Sequence, residues 1–374
     1  MHFPTSSVLG LSAMASLASA HGSHSIAQEL AERKTFLGNS SLKRADWKHP
    51  PIFLVISYSN PDQIPMSHCA SKLKSRSLDS ANVARRAARV EEIRSRRGLK
   101  KRDLDSVLAA SHNETGLGYT PNTDAATLFG QDSACIMMPQ VTQGPYYVGS
   151  ELIRSNITED QAGVDLYLDL QVIDANTCEP AAGLWMEIWH CNATGVYSGI
   201  IADGNGDTSD TANIDKTWLR GITQTSADGI AEFDTIFPGH YTGRATHIHT
   251  FVHQNAMLYA NGTLGNDHLQ TSRVGQGFSD QALISAYSGN AQAQTTNAED
   301  SILATEAADV DPFYEYTLLG DSIADGLFAW MSYGINSTYI EDITPAAFHY
   351  ADGGALNPDS NESVWFPAPT PINP

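Results

Sequence analysis

Between Asp165 and His253 the chain breaks into short runs in which apolar residues recur at every second position, with Gly and Asp at the breaks. That period belongs to strands with one buried face, and it excludes a helical bundle for this region. Asp165–Asp174 (DLYLDLQVID) sets Leu166, Leu168, Leu170 and Val172 on one face against Asp165, Tyr167, Asp169 and Gln171 on the other. Leu184–Cys191 likewise sets Leu184, Met186, Ile188 and His190 opposite Trp185, Glu187, Trp189 and Cys191. Ile222–Phe233 reads as a hairpin-like element turning at Ala227-Asp228-Gly229, and Ala245–His253 as a further strand. The expected fold is mainly β, an antiparallel β-sandwich with extra loops and short helices. Ser279–Tyr287, Asn297–Ala308 and Ser322–Tyr333 read as helical or loop-like, and Phe366–Pro374 as a proline-rich tail.

On the last of these strands His247 and His249 share a face two residue rises apart, close enough to bind one ion. Tyr197 and Tyr241 precede them. A phenol ionises only near pH 10, so tyrosine becomes a good ligand where a strongly Lewis-acidic cation stabilises the phenolate. Hard anionic oxygens suit Fe(III) better than zinc or copper. The four residues therefore form a candidate ferric site. His253, on the same face, should lie about 13 Å beyond His249 and take a structural or surface role. His240 reads as an exposed neighbour of a ligand, and His190 as a residue packed in the sandwich.

Charge divides the chain of 374 residues into two unlike parts. Residues 1–102 hold 17 of the 22 Lys+Arg and 7 of the 42 Asp+Glu, leaving formal charges near +10 before Arg102 and −30 after it. Residues 8–20 form a short apolar run ending in Ala18-Ser19-Ala20, so 1–20 reads as a signal peptide. Residues 21–102 then read as a basic, helix-leaning prosegment, cut after Lys100-Lys101-Arg102 by a processing protease, with 103–374 as the mature domain. Trp47–Met66 fits its neighbours poorly and reads either as a mis-spliced insert or as an unusual linker. The acidic mature part excludes nucleic acid and anionic membrane as partners. Seven Asn-x-Ser/Thr triplets, at Asn39, Asn113, Asn156, Asn192, Asn261, Asn336 and Asn361, suit a secreted glycoprotein. In an oxidising compartment two of Cys135, Cys178 and Cys191 should pair. Cys178 and Cys191 flank a turn between two strands and make the first choice, with Cys135–Cys178 the alternative.

Four local motifs bind these observations together: Gly144-Pro145-Tyr146-Tyr147; Glu187 to Ala193 with Gly195-Val196-Tyr197-Ser198; Phe237-Pro238-Gly239-His240-Tyr241; and Arg244-Ala245-Thr246-His247-Ile248-His249. Their order and spacing resemble the intradiol ring-cleavage dioxygenases, over a core running roughly from Gln143 to Gln281. Gly275-Gln276-Gly277-Phe278, Leu318 to Asp321 and Asp325-Gly326-Leu327 resemble the secreted fungal branch. The resemblance implies one non-haem Fe(III), a small aromatic diol substrate, O2, and cleavage between the two hydroxylated carbons to a muconate-type diacid. It implies Tyr241 and His249 as axial ligands and Tyr197 and His247 as equatorial ones. It also gives Arg244 the stabilisation of negative charge on the substrate, places Gln276 near the iron, and lines the pocket mouth with Pro145, Tyr146 and Tyr147. A turn that packs two aromatics explains Tyr146 and Tyr147 equally well. Gly277 and Ser279 depart from the large residues usual there. The long helical domain that many catechol-specific members carry before Gly-Pro-x-Tyr, and use to dimerise, has no counterpart between Arg102 and Gly144, so oligomeric state stays open. The competing reading is a non-catalytic secreted β-sandwich glycoprotein that binds cell wall or polyphenols.

Overall fold

This computed structural model describes Cys69, Lys72 and residues 78–99, 135–136 and 144–360, the last without 203, 255, 257, 261, 265–269, 288–294, 301 and 304–311. The expected signal peptide, the 47–66 insert, Lys100–Arg102, the tail, and Asn39, Asn113, Asn261 and Asn361 lie outside the described residues.

Strand β3 (Asp165–Asp174) anchors the first sheet, as its alternation requires. Its inward row of Leu166, Leu168, Leu170 and Val172 packs in the main core. Around it stand β1 (Cys135–Ile136), β4 (Glu179–Pro180), β7 (Ile230–Ile236), β10 (Glu315–Leu318) and β11 (Leu327–Ile335). The second sheet is built from β5 (Trp185–Trp189), β6 (Arg220–Gln224), β8 (His247–His253), β9 (Gln270–Phe278) and β12 (Glu341–Asp342), in the order β12-β9-β8-β5-β6. Met186, Ile188, Ile248 and Val252 face the first sheet across the core, which leaves Glu187, Trp189, His247 and His249 on the outer side. A small third sheet, β14-β13-β2, joins Gly353–Leu356, Ala347–Tyr350 and Val148–Gly149.

The mainly β architecture is as expected, with four corrections. First, β11 runs parallel to β3, so the sandwich is mixed rather than antiparallel. Second, β11 was expected to be helical or loop-like. It is LFAWMSYGI, buried at every position, and a strand covered on both faces shows no alternation to read. Third, the hairpin-like element splits: β6 pairs with β5 and β7 with β3, so its turn crosses from one sheet to the other. Fourth, the disulfide joins Cys178 to Cys69, and Cys191 is a buried free thiol. The two strands expected on either side of that turn, β3 and β5, belong to different sheets, and Cys191 follows the far end of β5.

Basic residues form the other unexpected layer. Helix α1 (Leu78–Arg96) lies across the outer face of the first sheet, with Val90 and Ile93 packed on Leu319, Phe328 and Trp330. Gly98, at φ +65°, ends it in the left-handed conformation that spares glycine the Cβ clash, and Leu99 N–H returns to Arg94 O at 3.0 Å.

Candidate metal centre

Strand β8 delivers two imidazoles to one point, because its registers against β5 and β9 are fixed on both sides. His247 Nε2 and His249 Nε2 are 3.2 Å apart, and the Tyr197 hydroxyl lies 3.2 Å from His247 Nε2. His247 Nδ1 sits 2.6 Å from Ala245 O; a carbonyl only accepts, so Nδ1 carries the proton and Nε2 presents a lone pair. The His249 ring stacks on Trp189 with centroids 4.7 Å apart and planes 6° apart. Gly144 packs its backbone on the other ring atoms: a Cβ there would come 2.9 Å from His249 Cε1, at φ +77°. The Gly-Pro-Tyr-Tyr motif thus begins with a glycine that lets a loop approach the His249 ring.

The tyrosines come from two loops that touch backbone to backbone. A Cβ on Gly195 would sit 2.2 Å from His240 O, and one on Gly239 2.6 Å from Ala193 O. This approach puts the rings of Tyr197 and Tyr241 5.8 Å apart, and Tyr241 5.9 Å from His247. Tyr197 is held at both backbone groups: its N–H donates to Asn205 Oδ1, and its carbonyl accepts from Asn205 and Asn213. Arg220, fully buried, donates to Ser198 O at 2.7 Å and places its guanidinium 6.0 Å from the Tyr197 ring.

Arg244 joins Tyr241 to Gln276 and Asp300. Its Nη1 donates to Tyr241 Oη at 3.3 Å, its Nη2 to Gln276 Oε1, and its Nε to Asp300 Oδ2 at 3.0 Å. Asp300 is wholly buried and also accepts from the N–H groups of Ala245, Ile302 and Leu303. No periodicity or motif marks Asp300, Asn205 or Asn213 in the sequence, because each acts across a loop; Trp189 sat in a strand pattern that gave no sign of its task, and Arg220 fell just before the hairpin-like element.

Electrostatically the donors are neutral. Burial pushes the Tyr241 phenol up to about 12 and Tyr197 well above its usual value, while burial and the Arg244 charge hold His247 down at about 3. A cation is the natural counterpart of such a set, since it would restore the phenolates that burial suppresses. Among the described residues no group of three His, Cys, Asp or Glu can hold a metal; here phenols supply the remaining donors. Donor atoms about 3 Å apart are also those of neighbours on one ion whose bonds are about 2.1 Å long. The residues fit a ferric ion held by His247, His249, Tyr197 and Tyr241.

Other expected residues divide. Tyr146 stands at the site, its ring 5.0 Å from Tyr197 and 5.9 Å from Tyr241. Pro145 is half-buried beside it. Tyr147 does not join them at the pocket mouth: it packs on Trp189 and Phe251 and donates to Glu187 Oε2 at 3.1 Å, one layer behind the ligands. Glu187 also pairs with His253 Nε2 at 2.6 Å, so His253 is structural. His190 packs in the interior, with ring nitrogens 2.8 Å from Cys191 O and Thr235 Oγ1. His240 is buried, not exposed, because the Gly195 and Gly239 loops close over it. Gly277 faces the sandwich core, where the Tyr314 ring fills the volume that a larger residue would take.

Residues 142–260 match the family model described as Dioxygenase. Catechol 1,2-dioxygenase 1 of Acinetobacter lwoffii is 29% identical over 136 residues, 30% of this chain and 41% of that protein. This segment is therefore similar to the dioxygenases of that family. The chain spans about two-fifths of the length of that curated relative. Among solved structures, an intradiol ring-cleavage dioxygenase from Tetranychus urticae is 29% identical, over 55% of this chain and 97% of that one, with a TM-score of 0.45. The dioxygenase domain of a carbohydrate-binding fusion from Streptomyces sp. SirexAA-E is 20% identical, over 54% and 99%, with a TM-score of 0.35.

Proposed function

We propose that the protein is an extracellular ferric dioxygenase that opens catechol-type rings, catechol or hydroxyquinol among them, between the two hydroxylated carbons to give muconate-type diacids. The observation that carries this reading is the convergence of His247 Nε2, His249 Nε2 and the Tyr197 hydroxyl, with Arg244 reaching from Tyr241 to Gln276. Ferric iron, when bound, supplies Lewis acidity that draws charge from the diol oxygens and prepares the ring for O2. The remaining tasks fall to the chain. Tyr241 Oη, at the inner end of Arg244, would accept one of the two protons that the diol gives up, as the phenolate that a bound cation would restore. Arg244 cannot deprotonate, so it keeps a fixed positive charge beside the ring as negative charge develops there. Gln276 Oε1 is taken by Arg244, which leaves Gln276 Nε2, buried without a partner among the described residues, as a donor for the substrate. Trp189 and Tyr146 exclude water from the ligand rings. Secretion completes the proposal and rests on the apolar 8–20 run and the Asn-x-Ser/Thr triplets.

Purified protein should show a visible tyrosinate-to-iron absorption band, consume O2 with a catechol, hydroxyquinol or protocatechuate panel, and yield ring-opened diacids. A colourless, iron-free protein after incubation with ferric salt would overturn the reading in favour of a binding module. Tyr241→Phe should shift the band and slow turnover; unchanged turnover would remove Tyr241 from proton transfer.

A further inference from the structure

The basic N-terminal part was expected to leave as a prosegment, yet it supplies a layer of the fold. The outward row of β3 is Tyr167, Asp169 and Gln171, and β7 adds Glu232 and Asp234. Helix α1 meets that acidic face residue by residue. Asn82 Nδ2 donates to Gln171 Oε1 at 2.8 Å. Arg85 grips Asp169 with Nε at 3.1 Å and Nη2 at 2.8 Å, and Arg86 Nε reaches the same carboxylate at 3.0 Å. Arg89 lies within 3.7 Å of Glu232 and 3.6 Å of Asp234. Arg94 donates to the carbonyls of Leu318 and Leu319, and Arg97 pairs with Asp165. Positions 82, 85, 86, 89 and 93 fall on one helical stripe, and Arg94 and Arg97 add contacts at the C-terminal end. Asp169 is completely buried beneath it. Upstream, Cys69 is covalently joined to Cys178, and Lys72 pairs with Glu179. The helix then stops at Gly98, two residues before Lys100-Lys101-Arg102, the run read as a processing site.

We infer that cleavage after Arg102 does not release the N-terminal part but converts the chain into a two-chain protein, in which the basic arm remains as a disulfide-held layer over the acidic sheet face. The step is a hydrolysis by a basic-specific endoprotease. The Arg102–Asp103 peptide bond breaks, water supplies the hydroxyl of the new Arg102 carboxylate, and its proton goes to the new Asp103 amine. The disulfide sulfurs keep their oxidation state throughout. Two independent attachments hold the arm: the Cys69–Cys178 bond, and the buried contacts of Arg85 and Arg86 with Asp169. Removing the arm would leave the Asp169 carboxylate and the Phe328 and Trp330 rings without their cover. The inference does not rest on iron or on ring cleavage, and its failure would leave the proposed activity untouched.

The test uses the full chain, folded and purified uncut, then treated under native conditions with a Lys-Arg-specific processing endoprotease. N-terminal sequencing should give a new start at Asp103. A denaturing gel without reductant should show one species of nearly full mass, which separates into two when reductant is added. Cys69→Ser, cut in the same way, should separate on the denaturing gel without reductant yet still elute as one species in native gel filtration. Loss of the N-terminal fragment from cut wild-type protein without reductant would overturn the inference, and so would a native chain that resists cutting at Arg102.

Discussion

Arg244 is useful to the site only because three neighbours fix it, and Asp300 is the one of them with no other position to take. Its Oδ2 accepts from both Arg244 Nε and Ala245 N–H, while Oδ1 accepts from Ile302 and Leu303 N–H. Asp300→Asn keeps the volume but turns one acceptor into a donor facing other donors. Turnover should fall about 10–100-fold, the usual cost of losing a partner that orients a site residue, while the iron band stays, since no ligand moves. Unchanged O2 uptake would show that Arg244 orients without it. Glu151 makes a second prediction. Burial pushes its carboxyl up to about 8, despite Arg220 3.7 Å away. The folded state therefore holds a proton that the unfolded state releases near its ordinary 4.5. That contribution is fully present below about pH 4.5 and is lost as pH rises through 8, at up to about 1.4 kcal/mol per pH unit. His190 works in the opposite sense: burial lowers it to about 4, so its contribution is present above 6.5 and lost as pH falls through 4. Glu151→Gln should flatten the decline in melting temperature between pH 5 and 8; a parallel decline in the variant would refute the assignment. Single residues were the most readable part of the sequence, since strand alternation alone paired His247 with His249. Glycosylation was less so. Of three triplets described, Asn156 is exposed, Asn336 is buried, and Asn192 spends its Nδ2 on Gln161.

Strands such as β3 and β5 were readable because one row is apolar and faces the core while the other carries polar groups such as Asp169, Gln171 and Glu187, although both rows are largely buried. Where the outer row is apolar as well, as Phe328 and Trp330 of β11 are beneath α1, the pattern that sequence reading depends on disappears. The β6–β7 turn shows a second limit: local turn chemistry fixes the bend but not which sheet each arm joins. Loop juxtaposition is the third, and it decides the site. Gly195 and Gly239 have no helical or strand pattern, yet without their bare Cα atoms the two tyrosine loops could not touch. Gly195→Ala would place a methyl 2.2 Å from a backbone oxygen, at φ +87°. Neither partner is a flexible side chain, so the loops must part. The variant should lose most of the visible band and bound iron, with a stability loss of about 1–3 kcal/mol from backbone strain alone. Full iron loading, measured by metal analysis, would count against loop contact as what assembles the ligands.

The swing from +10 to −30 was plain in the sequence, and it reads equally well as two objects to be separated or as two surfaces made for each other. Sequence could not choose, because the deciding contacts join residues more than eighty positions apart, such as Arg86 and Asp169. The choice has a measurable consequence for the whole molecule. Asp169 is the shared counter-charge of Arg85 and Arg86, on the sheet face turned away from the metal centre. Asp169→Ala would leave the buried Arg86 guanidinium with only the weaker influence of Glu315 and deprive Arg85 of its paired carboxylate, a change that costs about 3–5 kcal/mol when a buried pair loses one member. The unfolding midpoint should fall accordingly. Because the pair is shielded from solvent, the fall should be nearly the same at low and high salt, unlike that of a surface ion pair. The iron band should keep its position, since the core separates Asp169 from His247 and His249. A variant as stable as the parent would mean that α1 does not dock on this face. A loss that vanishes in high salt would mean that it docks only loosely, with its arginines in water.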